Sequence, residues 1–178
     1  MNTYIALFRG INVGGNHILP MKDLRALLEE LGADKVKTYI QSGNAVFQHE
    51  SEKAPQLSSK ISAAIKKNHG FEPRILLLEA AEMAQAAAKN PFPEAEAEPK
   101  TLHLYFLADS PQKPDLEMLD SLKKENEQFK LVNKVFYLYA PDGIGRSKLA
   151  ERAEKALGVA ATARNWRTVG KIMAMMEQ

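Results

Sequence analysis

The order of apolar runs and helical segments, separated by glycine and proline, constrains the fold of this chain more than any other feature. In the first half the order is strand, helix, strand, strand, helix, strand, and the segments cover residues 3–8, 20–31, 35–40, 45–48, 55–69 and 74–78. A proline opens each helix, and Gly32 and Gly70 close them with the left-handed backbone that ends many helices. This order predicts a ferredoxin-like βαββαβ plait with an antiparallel sheet.

The same order returns after an interruption, where Asn90-Pro-Phe-Pro and an acidic stretch break the periodicity. An Ala-rich helix is predicted before the interruption. Beyond it, we predict strands over residues 101–107, 129–132, 135–139 and 159–162, and helices from Pro114, from Ser147 to Gly158 and over residues 165–176. We therefore predict an α+β fold of two ferredoxin-like (βαββαβ) plaits with antiparallel sheets. The predicted divisions are an N-terminal plait over residues 1–90, a connection over residues 91–99, and a plait-like domain with an extra C-terminal helix over residues 100–178.

The charge balance and the lack of cysteine restrict the classes of function. The 24 basic and 22 acidic residues leave a net charge of +2, so any basic site must be local rather than a broad nucleic-acid surface. The absence of Cys excludes disulfides, thiolate nucleophiles and Cys-ligated zinc, and it fits a reducing compartment. No basic leader opens the chain and no stretch approaches the roughly 18 apolar residues of a membrane span, so we expect a cytoplasmic protein without membrane association. The four His residues lack metal-ligand spacing, so we predict no metal and no other cofactor.

A glycine-rich loop follows the first predicted strand. Arg9 ends the strand, and Gly14 and Gly15 let backbone N–H groups point outward, as in anion-binding nests. Two interpretations stay open: a phosphate or carboxylate binds there, or the glycines only permit an irregular connection from strand to helix. The spacing differs from the dinucleotide-binding fingerprint.

Polar residues surround the tip of the predicted hairpin, in the sequence Gln41-Ser42-Gly43-Asn44. Their amide and hydroxyl groups suit either a neutral polar ligand or hydrogen bonds that hold the first loop in shape. Ser42 has no general base near it in the sequence, and we recognise no catalytic constellation in the chain.

The segment from Asp142 to Lys148 places two glycines, a capping residue and two cations at the start of a predicted helix. Arg146 and Lys148 oppose the helix dipole at that position, and a bound anion would relieve the conflict. Ser147 is the expected N-cap. In the alternative interpretation, the two cations are solvated or paired with acids such as Glu151. The segment lacks the Gly-Lys-Ser/Thr ending of a nucleoside triphosphate loop.

The final predicted helix has one apolar and one basic stripe. Trp166 and Met173 belong to the apolar stripe, so we expect them to be buried. Arg167 and Lys171 belong to the basic stripe and are expected to be exposed.

A further cation, Arg164, precedes this helix, together with Asn165 as a capping residue. Backbone donors, amides and cations are what an anion needs. We therefore expect Arg146, Lys148 and Arg164 to converge on one solvent-accessible patch.

Aromatic residues alternate along two predicted strands of the second half. His103 and Tyr105 point to one side of the first strand, and Tyr137 and Tyr139 point to one side of the third. Because these strands are neighbours in a plait, we expect the four rings to share one sheet face. Such a face either stacks nucleic-acid bases, as in RNA-recognition domains, or is covered by the other plait.

Four blocks carry a resemblance to a known family: Arg9-Gly-Ile-Asn-Val-Gly-Gly, Tyr39-Ile-Gln-Ser-Gly-Asn, Gly143-Ile-Gly-Arg-Ser-Lys-Leu and Thr162-Ala-Arg-Asn-Trp-Arg-Thr-Val. With these blocks in this order, the chain resembles the family catalogued as domain of unknown function 1697 over nearly its whole length. The resemblance implies a bacterial protein of two α/β plaits with no established activity.

These features favour a non-catalytic module that binds an anionic ligand, either nucleic acid or a phosphate-bearing small molecule such as a nucleotide. The predicted ligand-binding residues are Arg9, Asn12, Gly14, Gly15, Gln41, Ser42, Asn44, Arg146, Ser147, Lys148, Arg164 and Asn165. Two alternatives stay open: a small-molecule enzyme with a pocket between the two plaits, and a structural or partner-binding protein. The sequence specifies no oligomeric state.

Overall fold

The computed structural model describes residues 1–50 and 53–178, which form two four-stranded antiparallel sheets with helices between the strands. The strands are β1 (Asn2–Arg9), β2 (Asp34–Tyr39), β3 (Asn44–His49), β4 (Arg74–Glu79), β5 (Leu102–Leu107), β6 (Gln128–Val132), β7 (Val135–Tyr139) and β8 (Ala161–Asn165). The helices are α1 (Met21–Glu30), α2 (Ala54–His69), α3 (Ala80–Ala88), α4 (Leu116–Leu122), α5 (Lys148–Leu157) and α6 (Trp166–Glu177), with a 3₁₀ helix at Pro93–Ala97. The predicted α+β class and the two βαββαβ repeats are therefore confirmed.

The chain divides into two compact units. The first comprises Met1–Gln85 with Lys171–Gln178, and the second comprises Ala86–Gly170. The domain bounds drawn from the sequence stay a prediction. Among the described residues, no helix combines the length and the apolar character that crossing a membrane requires.

The first sheet has the strand order β2-β3-β1-β4, and each neighbouring pair is antiparallel. One face carries Tyr4, Phe8 and Phe47, which form a buried cluster with Leu24 of α1 and Ile61 of α2. Burying each such side chain contributes about 1.5–3 kcal/mol relative to exposure. Helices α1 and α2 therefore lie on this face.

The opposite face of the first sheet meets the end of the chain. Lys37 pairs with Val46 in the β2–β3 ladder, and its ammonium donates to the carbonyl of Met175 in α6 at 3.1 Å. Val46 is buried. This contact agrees with the assignment of Lys171–Gln178, and so of the last turns of α6, to the first unit.

The second sheet repeats this arrangement with the order β6-β7-β5-β8. Its core cluster joins Phe136 and Leu138 of β7 to Leu119 of α4 and to Leu149 and Leu157 of α5. Helices α4 and α5 therefore cover one face, as α1 and α2 do in the first unit.

Two glycines that the sequence analysis placed at helix ends, Gly70 and Gly158, do end helices. Helix α2 ends at Gly70 and α5 ends at Gly158, with φ of +84° and +74°. Each cap N–H donates to the carbonyl four residues earlier, on Lys66 and Glu154. The proline signals were less accurate, because Pro20 is the N-cap of α1 rather than its first helical residue.

The expectation that four aromatic rings share a face of the second sheet was wrong. Tyr105 pairs directly with Phe136, and Leu104 pairs directly with Tyr137. Direct partners in an antiparallel ladder share a face, so Tyr137 lies on the face opposite to Tyr105. On that face the hydroxyl of Tyr137 donates to the carbonyl of Ala86 at 2.6 Å.

The stripes of α6 were predicted in part. Arg167 and Lys171 are exposed, as expected, but Trp166 and Met173 are only half-buried. The fully buried positions are Val169 and Ile172, together with Thr168. Strand β8 covers Ala161–Asn165 instead of the predicted residues 159–162. Helix α6 consequently begins at Trp166, one residue later than predicted.

Candidate anion-binding site

A cavity of about 400 Å³ opens at the start of α5 in the second unit. Its lining consists of Tyr105, Ile144, Gly145, Arg146, Ser147, Lys148, Ala150 and Glu151. Three of the predicted ligand-binding residues therefore line one cavity. Seven of the eight lining residues come from the loop after β7 and the first turn of α5, and Tyr105 comes from β5.

The loop reaches the helix through a chain of local hydrogen bonds. Gly143 has a φ of +86°, and its N–H donates to the carbonyl of Ala140 at 2.9 Å. The backbone N–H of Ser147 donates to the carbonyl of Ile144 at 3.1 Å. The hydroxyl of Ser147 then accepts from the N–H of Ala150 at 3.1 Å, which is the N-cap contact that the sequence predicts.

Asp142 lies beside the cavity without lining it. Its carboxylate accepts a hydrogen bond from the side-chain amide of Asn126 at 3.2 Å. The negative charge at the beginning of the loop is therefore held by a partner outside the cavity.

Among the described residues, the two cations of the cavity have no counter-ion. Arg146 and Lys148 are exposed, and within residues 1–50 and 53–178 neither side chain makes a hydrogen bond or an ion pair. Within the same described residues, neither cation forms the ion pair with Glu151 that the sequence suggested. Two of the options drawn from the sequence therefore remain for these charges: solvation by water, or a bound anion.

Tyr105 contributes a neutral donor to the cavity. Its ring is 7% exposed and meets Phe136 edge to face, with the ring centroids 5.6 Å apart. Desolvation by burial raises the pKa of Tyr105 to about 12. The hydroxyl therefore stays protonated near neutral pH and can donate to an oxygen of a ligand.

His103 lies two residues before Tyr105 and on the same face of the strand. It is 8% exposed, and its Nδ1 is the one buried side-chain polar atom among the described residues without a hydrogen-bond partner. Burial lowers the pKa of His103. A neutral imidazole is thus favoured at this position.

Arg164 does not join the other two cations. It pairs with Leu104, while the neighbouring Ala163 pairs with Tyr105. Because successive strand residues face opposite sides, Arg164 lies on the sheet face away from the cavity. The expected convergence of three cations is therefore wrong, and the reason is the register of β8 against β5.

The surroundings of Arg164 also differ from those of an open binding residue. Its guanidinium donates to the carbonyl of Ala163 at 2.9 Å, and burial lowers its pKa to about 10. Asn165 acts as the cap of α6, since its side-chain oxygen accepts from the N–H of Thr168 at 2.9 Å.

The remaining predicted residues gather at one end of the first sheet, where β1 and β2 end and β3 and β4 begin. Arg9 lies directly opposite Arg74 in the β1–β4 ladder, and both side chains are exposed. Like charges in directly opposed positions repel each other. This end of the sheet therefore carries two neighbouring arginines, neither of which is an unpaired charge.

The two glycines after β1 form a tight turn. The N–H of Asn16 donates to the carbonyl of Val13 at 2.9 Å, and Gly14 and Gly15 have φ of +57° and +77°. Positive φ at both central positions is the requirement of a type I′ turn. The turn geometry explains both glycines without a ligand.

Asn12 holds this loop to the neighbouring hairpin. Its side-chain nitrogen donates to the carbonyls of Leu19 at 2.9 Å and Gln41 at 2.8 Å. Its side-chain oxygen accepts from the N–H of Leu19 at 2.8 Å. Since these bonds use both N–H groups of the amide, Asn12 supports the structural interpretation of the block.

The hairpin tip divides into exposed and buried residues. Gln41 and Ser42 are exposed. Asn44 is 0% exposed, and its side-chain nitrogen donates to the carbonyl of Tyr39 at 3.0 Å. Asn44 therefore holds the hairpin and is not accessible to a ligand.

Sequence reasoning identified the cations of the cavity but missed Tyr105 as part of its wall. No local sequence pattern points to Tyr105, because it reaches the cavity through the packing of α5 on the sheet. Glu151 was named only as a counter-ion, and its position in the first turn of α5 was the signal that it reaches the same cavity. Among the described residues, no group of three or more potential His or carboxylate ligands is placed to hold a metal ion.

Comparisons with known proteins place this fold in a family. The solved structure of the conserved bacterial protein SP0830 from Streptococcus pneumoniae is similar to this chain, with 25% sequence identity, a TM-score of 0.68 and 98% of each chain covered. No curated protein matches the chain. The family model described as Protein of unknown function (DUF1697) matches residues 1–137, which include the blocks at Arg9 and Tyr39 and end before the cavity loop. Since this match covers more than half of the sequence, the chain belongs to the DUF1697 family of proteins of unknown function.

Proposed function

We propose that this protein binds a small phosphate-bearing molecule, such as a nucleotide, in the cavity at the start of α5. The observation that carries the proposal is the pair of exposed cations, Arg146 and Lys148, which line one cavity and form no ion pair with the described residues. The role is binding rather than catalysis.

The chemistry of the cavity suits a phosphate group. Arg146 offers a planar set of N–H donors, and Lys148 offers a mobile positive charge. The backbone N–H groups at the start of α5 and the positive end of its dipole act in the same direction. Hydrogen bonds to charged groups are worth about 1.5–3 kcal/mol each, so two cations and one neutral donor at Tyr105 support micromolar to millimolar binding.

The size of the cavity favours a small molecule over a nucleic-acid strand. A volume of about 400 Å³ lies within the range of roughly 300–1,000 Å³ that is usual for small-molecule sites. The net charge of +2 gives little attraction for a long polyanion. Of the rings predicted to stack bases, Tyr137 and Tyr139 lie on the sheet face opposite to Tyr105, so the four rings do not form one stacking surface beside the cavity.

Isothermal titration calorimetry with inorganic phosphate and adenosine monophosphate tests this proposal. The informative variant is Arg146→Ala/Lys148→Ala. The matched control is Arg152→Ala/Lys155→Ala, which removes two exposed cations from the same helix without touching the cavity lining.

We expect the cavity variant to lose at least tenfold in affinity for both probes, and the control to stay within twofold of the unmodified protein. Equal losses in the two variants would show that only general charge matters, and this result would contradict the proposal. Absence of binding by the unmodified protein at low salt and millimolar probe would also contradict it.

A further inference from the structure

Glu151 places a negative charge in the same cavity as Arg146 and Lys148. Its side chain is exposed, and in the described part of the chain it forms neither an ion pair nor a side-chain hydrogen bond. The cavity therefore presents charges of both signs, and the protein does not neutralise them against each other.

The spacing makes the absence of an ion pair informative. Lys148 and Glu151 are three residues apart on α5, so their side chains start from the same side of the helix. In this arrangement a lysine and a glutamate commonly pair. Here they remain apart, which leaves an anionic and a cationic subsite next to each other.

A carboxylate in the lining weakens the binding of a ligand that carries only negative charge, because the two repel each other. The same carboxylate strengthens the binding of a ligand that also carries a positive group. Glu151 otherwise has only the favourable but modest interaction of an acidic side chain with the first turn of a helix.

We infer that the ligand is zwitterionic, with a phosphate group held by Arg146 and Lys148 and an ammonium group held by Glu151. This inference rests on the proposed function and specifies its ligand class. Tyr105 lines the same cavity and can offer its neutral hydroxyl to a phosphate oxygen of such a ligand.

Two probes that differ only in the ammonium group test the inference. O-Phosphoethanolamine carries a phosphate and an ammonium group near neutral pH, and ethyl phosphate carries the phosphate alone. Calorimetric titrations compare both probes on the unmodified protein, on Glu151→Gln, and on Arg146→Ala/Lys148→Ala.

A matched control is Glu125→Gln, which removes one negative charge from an exposed residue outside the cavity lining. Circular dichroism of each variant verifies that the fold is retained. All titrations use the full chain at the same low salt concentration.

We expect the unmodified protein and Glu125→Gln to bind phosphoethanolamine at least fivefold tighter than ethyl phosphate. In Glu151→Gln this preference should vanish, with ethyl phosphate binding as well as before or better. The variant without Arg146 and Lys148 should lose at least tenfold for both probes.

Equal affinities for the two probes on the unmodified protein, or an unchanged preference in Glu151→Gln, would overturn the zwitterion while leaving phosphate binding in place. If neither probe binds the unmodified protein, both the proposed function and this inference are wrong.

Discussion

Replacing Gly43 with Ala should destabilise the first unit more than any other glycine substitution in it. Gly43 has a φ of +93°, and an added Cβ would lie 2.6 Å from Cδ1 of Ile11 and 2.7 Å from Cβ of Phe8. Both neighbours are 1% exposed and packed in the core, so neither can move aside easily.

The expected magnitude has two parts. A non-glycine residue in the left-handed region costs about 1–2 kcal/mol. Forcing an extra carbon into a packed core costs about 1–3 kcal/mol more. The free energy of unfolding of the first unit should therefore fall by about 2–5 kcal/mol.

Gly14→Ala separates the two parts. Gly14 also has a positive φ, of +57°, but nothing lies within 4 Å of the position of an added Cβ. This control should therefore lose only about 1–2 kcal/mol, from the backbone alone.

Urea unfolding followed by circular dichroism measures both variants against the unmodified protein. A loss for Gly43→Ala that is no larger than the loss for Gly14→Ala would refute the argument, since it would mean that the core around Phe8 yields without cost.

Three other substitutions test a buried hydrogen bond, an asparagine that anchors a loop, and a buried histidine. Tyr137→Phe should lower the free energy of unfolding by about 1–3 kcal/mol, because it leaves the buried carbonyl of Ala86 without its donor; an unchanged thermal midpoint would contradict this. Asn12→Ala should cost about 1–3 kcal/mol through its three backbone contacts, with calorimetric unfolding as the measurement. Because burial lowers the pKa of His103 below 6.5 in the folded state, the unfolded chain takes up the proton first, and stability should fall as the pH drops below 6.5. His103→Gln should flatten this dependence, and an identical pH profile for the variant would count against the buried neutral imidazole.

The sequence predicted those parts of the fold that depend on neighbouring residues. Gly70 and Gly158 marked helix ends because a left-handed residue strongly favours glycine, and Ser147 marked a helix start because its hydroxyl can accept from a first-turn N–H. The order of strands and helices followed from these signals and gave the plait topology.

The parts that failed depend on pairing between distant strands. Alternation shows that Tyr105 and Tyr137 each point to one side of their own strand, but only the register decides whether the two sides agree. One residue of register moves every side chain to the other face. The same cause separates Arg164 from Arg146, since β8 pairs with β5 so that Ala163 rather than Arg164 meets Tyr105.

The candidate cavity was predictable only in its loop. Arg146, Ser147 and Lys148 are adjacent in the sequence, and their chemistry at a helix start is visible there. Tyr105 reaches the same cavity through packing of α5 on the sheet, which no local pattern reports. For Asn44 the sequence predicted a ligand contact, because the residue stands in a polar motif. In the structure Asn44 is buried, and its side chain holds the hairpin.

A crystal structure of the protein grown in phosphate would show whether the cavity at the start of α5 binds an anion. We expect a phosphate ion in the cavity at the start of α5, within hydrogen-bond distance of the Arg146 guanidinium and the Lys148 ammonium. An empty cavity at millimolar phosphate, with the ion bound between Arg9 and Arg74 at the end of the first sheet, would contradict the proposal.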